Sequence, residues 1–180
     1  FSTTWVKDIK NNGPYINIQS EGRHHYSSTQ PEQQIYGPND ENPYVEAFFK
    51  WWDSDLHRTL QELRVTGGEP LMAPSVWKLF EWFKNNPERG KTMRFAVNTN
   101  LLPKTEILDK LIEYSHSIPH LEIYTSNESQ GAHSEYIRDG MNYDQWFKNL
   151  KRLHLEGNVK KIHCMMTINS LCLASVTEFI

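Results

Sequence analysis

Apolar residues recur at helical spacing in several stretches of the chain after residue 43, and short apolar runs alternate with these stretches. Val76, Phe80 and Phe83 would lie on one face of a helix within APSVWKLFEWFKNN. The same pattern predicts helices in PYVEAFFKWWDSDL, KTEILDKLIEYSHS and NYDQWFKNLKRLHLEG, and the start of another in SVTEFI. Strands are predicted between them in QELRVT, MRFAVNTN, HLEIYTS and KKIHCMMTIN.

The repeated order of strand and helix predicts an α/β fold with parallel strands and right-handed crossovers. Periodicity alone leaves two architectures open, which are a doubly wound sheet and an arc of a (β/α) barrel. Residues 1–43 are rich in turn-forming residues and predict an irregular surface loop or insertion, with a short helix around Val6 to Asn11. The α/β part is expected to span residues 44–180.

Composition narrows the class of protein. The 180 residues are 38% hydrophobic and 23% charged with a net charge of -3, which is typical of a folded domain. No stripe of Lys and Arg favours a nucleic acid partner, and no apolar run reaches the roughly 20 residues of a membrane helix. The two cysteines, Cys164 and Cys172, predict a reducing compartment, the cytoplasm. Because the chain starts at Phe1 and stops within a predicted helix, we expect it to be a piece of a longer protein.

Small polar residues end each predicted strand. They occupy positions 66–69, 98–100 and 125–128, followed by Thr167 and Asn169 after the last strand. Ligands of parallel α/β folds bind outside the carboxyl ends of the strands. Such residues also cap helices, but four successive strand ends of this kind favour a ligand site as well.

The stretch LRVTGGEPLM has the most specific chemistry of these strand ends. Gly67 and Gly68 allow a close approach to the backbone and positive φ angles. Glu69 adds a negative charge suited to an ammonium group, and Pro70 stiffens the turn without leaving an N–H unpaired. A phosphate site would have glycine amides at a helix N-terminus and no adjacent carboxylate. The pattern therefore predicts a receptor for an amino group, with an ordinary tight turn as the alternative.

RVTGGEPLM resembles the GGEP motif of radical S-adenosylmethionine enzymes. FAVNTN resembles the strand of that superfamily that ends in Thr-Asn, and EIYTSNESQGAHSEYIRDGMNYDQWFKNL resembles a later segment with a Tyr-Ile-Arg sequence. Within the superfamily, these segments are most similar to twitch-domain-containing radical S-adenosylmethionine proteins. The resemblance covers about residues 44 to 180. The resemblance implies that this chain is part of a TIM-like (β/α) barrel, the radical S-adenosylmethionine core.

The resemblance also implies roles for the Gly-Gly-Glu-Pro turn. Gly67, Gly68 and Glu69 would contact the amino group of the methionine moiety of S-adenosylmethionine. Pro70 would shape the turn.

Further cofactor contacts are implied in the later segments. Asn98, Asn100 and Ser126 would line the ribose and methionine part of the site, and Asn169 at the end of the last strand would face the adenine or ribose. Arg138 would bind the carboxylate of the cosubstrate, with a surface salt bridge as the alternative.

One departure from the family is large. The Cys-x-x-x-Cys-x-x-Cys loop that carries its [4Fe–4S] cluster is absent, so the cluster ligands are expected outside this chain. A second departure is Glu128, where relatives often have Asp.

For the whole protein, the resemblance implies reductive cleavage of S-adenosylmethionine to a 5′-deoxyadenosyl radical, which abstracts a hydrogen from a substrate. An electron donor and an unknown substrate, by analogy a peptide or protein, would be its partners. The alternative is a non-catalytic or degenerate nucleotide-binding α/β module.

Overall fold

The structure of the chain is a computed structural model that describes Asn11 and residues 41–179. The chain divides into two units, Phe1–Asn42 and Pro43–Ile180, and the account below concerns the second. The short helix predicted around Val6 to Asn11 lies outside the described residues except for Asn11, which is helical.

Helices and strands alternate through the second unit. The helices are α1 (Pro43–Trp51), α2 (His57–Thr59), α3 (Pro74–Asn85), α4 (Pro87–Gly90), α5 (Thr105–Ser115), α6 (Gly131–Ile137), α7 (Tyr143–Glu156) and α8 (Val176–Phe179). The strands are β1 (Glu62–Val65), β2 (Arg94–Thr99), β3 (Leu121–Ser126) and β4 (Lys161–Met165). Among residues 41–179, none of the helices combines the length and hydropathy that crossing a membrane requires.

The four strands form one sheet in the order β1-β2-β3-β4, and every neighbouring pair is parallel. Val97 is paired with Val65 on one side and with Ile123 on the other, and Ile123 is paired with Ile162. The predicted α/β class with parallel strands is therefore confirmed. All four carboxyl ends lie at the same edge of the sheet.

One face of the sheet carries the hydrophobic core. Side chains at alternate strand positions share a face, and Phe95, Val97, Leu121 and Ile123 are fully buried. They belong to one cluster with helix residues Val76, Leu79, Phe80, Phe83, Leu111, Trp146 and Leu153. The stripe predicted for α3 is confirmed, and the ring of Phe83 stacks on Phe95 with centroids 4.7 Å apart.

The opposite face of the sheet is polar, and we call it the polar sheet face. Its residues are the strand positions between those of the core: Glu62, Arg64, Arg94, Ala96, Asn98, Glu122, Tyr124, Ser126, Lys161, His163 and Met165. A parallel sheet covered by hydrophobic layers on both faces has near-continuous apolar strands. These strands alternate instead, so the second face is suited to polar contacts.

Some element boundaries differ from the prediction. The first predicted helix is interrupted, because Trp52–Leu56 form a π-helical turn. The last strand ends at Met165, so the prediction that Asn169 ends this strand was wrong. Asn169 lies four residues later, where its Oδ1 accepts a hydrogen bond from the Leu171 N–H at 2.8 Å. This local side-chain bond competes with strand pairing, as is common for Asn.

Candidate functional site

The Gly-Gly-Glu-Pro turn follows β1 directly. Gly67 and Gly68 have φ angles of 91° and 44°, a conformation that favours glycine at both positions. No atom outside the turn lies within 4 Å of the place where a Cβ of Gly67 would stand. Pro70 is buried and begins a 3₁₀ turn, Pro70–Met72. The turn therefore presents open backbone at the carboxyl end of β1, as the sequence predicts.

Glu69 joins this turn to the end of β2. Its Oε1 accepts a hydrogen bond from the Leu71 N–H at 3.3 Å, and its Oε2 accepts one from the Asn100 N–H at 2.8 Å. The structure thus brings together two residues that the sequence places in the site, Glu69 and Asn100. Each carboxylate oxygen keeps further lone pairs for a ligand.

The turn that holds Asn100 is itself fixed by its neighbours. Leu101 is fully buried with φ of 57°, a left-handed conformation that non-glycine residues rarely adopt. Its N–H donates to Thr99 Oγ1 at 3.0 Å, and its carbonyl accepts from Asn149 Nδ2 of α7 at 2.9 Å. Asn100 Oδ1 accepts from the Leu102 N–H at 2.9 Å. Backbone strain of this kind clusters at functional sites.

Asn98 and Ser126 lie on the polar sheet face near the carboxyl ends of their strands. Asn98 Nδ2 lies 3.9 Å from Met165 Sδ, across the strand that carries Ser126. The Oδ1 atom of Asn98 is buried and has no hydrogen-bond partner. A buried acceptor without a donor is unusual in folded proteins.

Arg138 binds Glu128 through two hydrogen bonds. Its Nε and Nη2 donate to the two carboxylate oxygens, both at 2.5 Å, and the side chain of Glu128 is only 3% exposed. Glu128 Oε1 also accepts from the Thr167 N–H at 3.3 Å, which ties the end of β3 to the segment after β4. The salt bridge expected as the alternative role of Arg138 is therefore present, although its carboxylate is buried.

Other polar residues at the strand ends support the fold. The buried Thr125 Oγ1 accepts a hydrogen bond from Trp146 Nε1 of α7 at 2.9 Å. The fully buried Asn127 accepts from the Ser134 hydroxyl at 2.6 Å, and its Nδ2 has no partner. These polar residues at the strand ends therefore bond within the fold, to side chains of the helices that follow β3. The contribution of Asn149 was not predicted, because a buried Asn within a helix gives no local signal of a partner 48 positions away.

The thiols of the chain do not fit a [4Fe–4S] cluster. The sequence has two cysteines, whereas the [4Fe–4S] cluster of radical S-adenosylmethionine enzymes is carried by three thiolates. Cys164 is exposed at the surface, although partial burial of its thiol raises the pKa of that group, and Cys172 is fully buried. In the part of the chain that the structure describes, no three His, Cys, Asp or Glu side chains are grouped to hold a metal ion.

The geometry alone thus establishes the α/β class and the hydrogen bond between Glu69 and the Asn100 N–H at the carboxyl ends of β1 and β2. Comparison of the chain with models of protein families, with curated proteins and with solved structures gives no match.

Proposed function

We propose that this chain binds S-adenosylmethionine at the carboxyl ends of β1 and β2, as part of the core of a radical S-adenosylmethionine enzyme. The observation that carries the proposal is the Glu69 carboxylate, held between the Leu71 and Asn100 N–H groups beside the open backbone of Gly67 and Gly68. This arrangement lies at the sheet edge where parallel α/β folds bind ligands.

The chemistry of the turn suits an ammonium group. An ammonium has three donors and no acceptor, and the Glu69 oxygens with the glycine carbonyls supply acceptors. The two backbone N–H groups hold the carboxylate in place before a ligand arrives, so less conformational freedom is lost on binding. Asn98 and Ser126 would contact the ribose and methionine part, and Asn169 the adenine or ribose.

The strand order supports the barrel architecture. The order of an open doubly wound sheet reverses at a switch point, whereas the four described strands run in one sequential direction. When successive right-handed crossovers all move in the same direction along a sheet, their helices all lie on the same face of that sheet. We therefore propose that the strands are an arc of a (β/α) barrel and that the polar sheet face lines its interior.

Arg138 would reach the cosubstrate carboxylate only with donors that Glu128 does not use. The guanidinium has five N–H donors, and the pair with Glu128 uses two of them. In this proposal, the pair with Glu128 is the main role of Arg138, and it holds the segment after β3 in place.

For the whole protein, we propose reductive cleavage of S-adenosylmethionine and hydrogen abstraction from a substrate, with an electron donor as partner. Because the two cysteines do not fit the cluster, no step of that chemistry is assigned to this chain. A second candidate is a nucleotide-binding module without catalysis. For either candidate, incubation of this chain with iron and sulfide under reducing conditions should give no stoichiometric cluster absorption, because its two cysteines do not supply three thiolates.

Calorimetric titration tests the binding site. Glu69→Gln should weaken S-adenosylmethionine binding about ten-fold or more, because a charge-assisted hydrogen bond is lost. Glu106→Gln, which removes an exposed carboxylate from α5, is the matched control and should leave the affinity unchanged.

A second ligand identifies the group that Glu69 binds. 5′-Methylthioadenosine has no amino acid moiety, so its affinity should be the same for wild-type and Glu69→Gln protein. Equal affinity of S-adenosylmethionine for both proteins, or no binding to the wild type, would refute the proposal.

A further inference from the structure

The side chain of Gln145 begins a row of hydrogen bonds that runs from the surface of α7 to the turn after β2. Gln145 is exposed and lies in the first turn of α7, where its own N–H donates to the capping side chain of Asn142 at 2.8 Å. Its side-chain Nε2 donates to Asn149 Oδ1 at 2.7 Å, one turn further along the helix. Asn149 Nδ2 donates in turn to the carbonyl of Leu101 at 2.9 Å. Two side chains of one helix therefore connect the surface to the buried backbone of Leu101.

The direction of the Asn149 amide is fixed at both of its ends. A backbone carbonyl only accepts hydrogen bonds, so the NH2 end of Asn149 has to face Leu101. The oxygen of the same amide then needs a donor of its own, because Asn149 is only 2% exposed. Gln145 supplies that donor, which a side chain that only accepts could not do. The donor at Gln145 is thus coupled to the bond that the Leu101 carbonyl receives.

The Leu101 carbonyl belongs to the turn that orders the proposed ligand site. Leu101 is fully buried with φ of 57°, a conformation that persists only when its surroundings hold it. The residue before it, Asn100, donates its N–H to Glu69 Oε2 at 2.8 Å. A change at the Leu101 carbonyl therefore moves the Asn100 N–H, and with it the carboxylate of Glu69.

We infer that Gln145 is a positioning residue of this site. Its amide holds Asn149 with the donor end toward Leu101. The turn fixed in this way holds the Asn100 N–H against Glu69. The inference rests on the proposed function for the statement that the ligand of Glu69 is S-adenosylmethionine.

Two variants at this position separate a donor from an acceptor. Gln145→Lys keeps a donor for Asn149, whereas the carboxylate of Gln145→Glu only accepts. In calorimetric titration, Gln145→Glu should weaken S-adenosylmethionine binding about three- to ten-fold, because one hydrogen bond of the row is lost. Gln145→Lys should keep the wild-type affinity.

Other effects of charge predict the opposite order of affinities. S-adenosylmethionine carries a net positive charge, so an added carboxylate attracts it and an added ammonium repels it. A negative charge in the first turn of α7 also favours the helix. The matched controls are Leu155→Glu and Leu155→Lys, which place the same charges on a 79% exposed side chain of α7 and should leave the affinity unchanged.

NMR spectroscopy of the labelled chain without ligand measures the row of hydrogen bonds directly. In Gln145→Glu, the carbonyl carbon of Leu101 and the backbone amide of Asn100 should shift from their wild-type positions. In Gln145→Lys they should not shift. Loss of a merely structural contact would affect both variants alike.

Unchanged Leu101 and Asn100 resonances in Gln145→Glu, or equal affinities of the two Gln145 variants, would overturn the positioning role. The expected shifts in a chain that does not bind S-adenosylmethionine would refute the proposed function. They would still confirm that Gln145 controls the turn after β2.

Discussion

The backbone N–H of Asn100 donates a hydrogen bond to Glu69 Oε2 at 2.8 Å, and this contact links the carboxyl ends of β1 and β2. Glu69 also accepts from the Leu71 N–H, so one carboxylate organises two turns. The residue proposed to bind the ligand is therefore also part of the local structure. Loss of binding in a Glu69 variant has to be separated from loss of stability.

Glu69→Ala should lower the free energy of unfolding by about 1–2 kcal/mol, because it removes an ionised acceptor from two backbone donors that are partly open to water. Glu69→Gln keeps one acceptor oxygen and should lose less. Urea unfolding followed by circular dichroism measures both. A loss above about 4 kcal/mol for Glu69→Gln would show that the carboxylate is mainly structural.

The turn after β2 depends on Asn149. Its Nδ2 is the hydrogen-bond donor to the carbonyl of Leu101, which is buried in a left-handed conformation. Asn149→Ala should lower the free energy of unfolding by about 1–3 kcal/mol, since the buried carbonyl loses its donor. Asn85→Ala is the control, because Asn85 bonds only the exposed Glu81 side chain and should change stability by less than about 0.5 kcal/mol.

Asn149→Ala should also weaken S-adenosylmethionine binding if the Leu101 turn positions Asn100 and Glu69. Calorimetry at a temperature where both proteins are folded measures this effect. An unchanged affinity would show that the turn keeps its geometry without the side-chain bond.

The helices and strands could largely be predicted from local sequence patterns, whereas the candidate site could be predicted only in part. Apolar periodicity located α3, α5, α7 and the strands, and parallel order implied that the ends of β1 and β2 would meet. Helix α6 was missed, because GAHSEYI is short and has no clear apolar stripe. The end of β4 was misplaced, because the run MMTIN has strand-like residues while Asn169 bonds its own turn.

The pairing of Glu128 with Arg138 shows what a pattern of residue types leaves open. Both residues stand in a segment that the sequence assigns to the site, and an arginine there suits a ligand carboxylate as well as a glutamate. Ten positions separate them, and no helical or strand period brings them together. Whether Arg138 meets a ligand carboxylate or Glu128 depends on the path of the loop after β3.

Arg138→Ala should lower the free energy of unfolding by about 3–5 kcal/mol, because Glu128 would remain as a buried charge without its partner. Arg152→Ala is the matched control. It breaks ion pairs with Asp109 and Glu156, whose side chains are about half exposed, and should cost about 1 kcal/mol or less.

The double variant Arg138→Met with Glu128→Leu removes both charges together. It should recover much of the stability lost in Arg138→Ala, because replacing a buried pair with apolar residues is often neutral. Equal destabilisation by Arg138→Ala and by the control would contradict the buried pair.

The charged end of the polar sheet face makes the stability of the protein depend on pH. The hydrogen bond from Arg94 lowers the pKa of Glu62 from its usual value of 4.5, with a further contribution from Arg64. A carboxyl whose pKa is lower in the folded state stabilises that state above the unfolded value, and the contribution is lost as pH falls through the folded value. Glu62→Gln should therefore be less stable than the wild type at pH 7, and the difference should shrink below about pH 4.5. Urea midpoints measured from pH 7 to pH 3 test this sign, with the exposed Glu41→Gln as control. A wild-type advantage that stays constant over the range would mean that Glu62 acts through packing, and its charge would then make no contribution to the sheet.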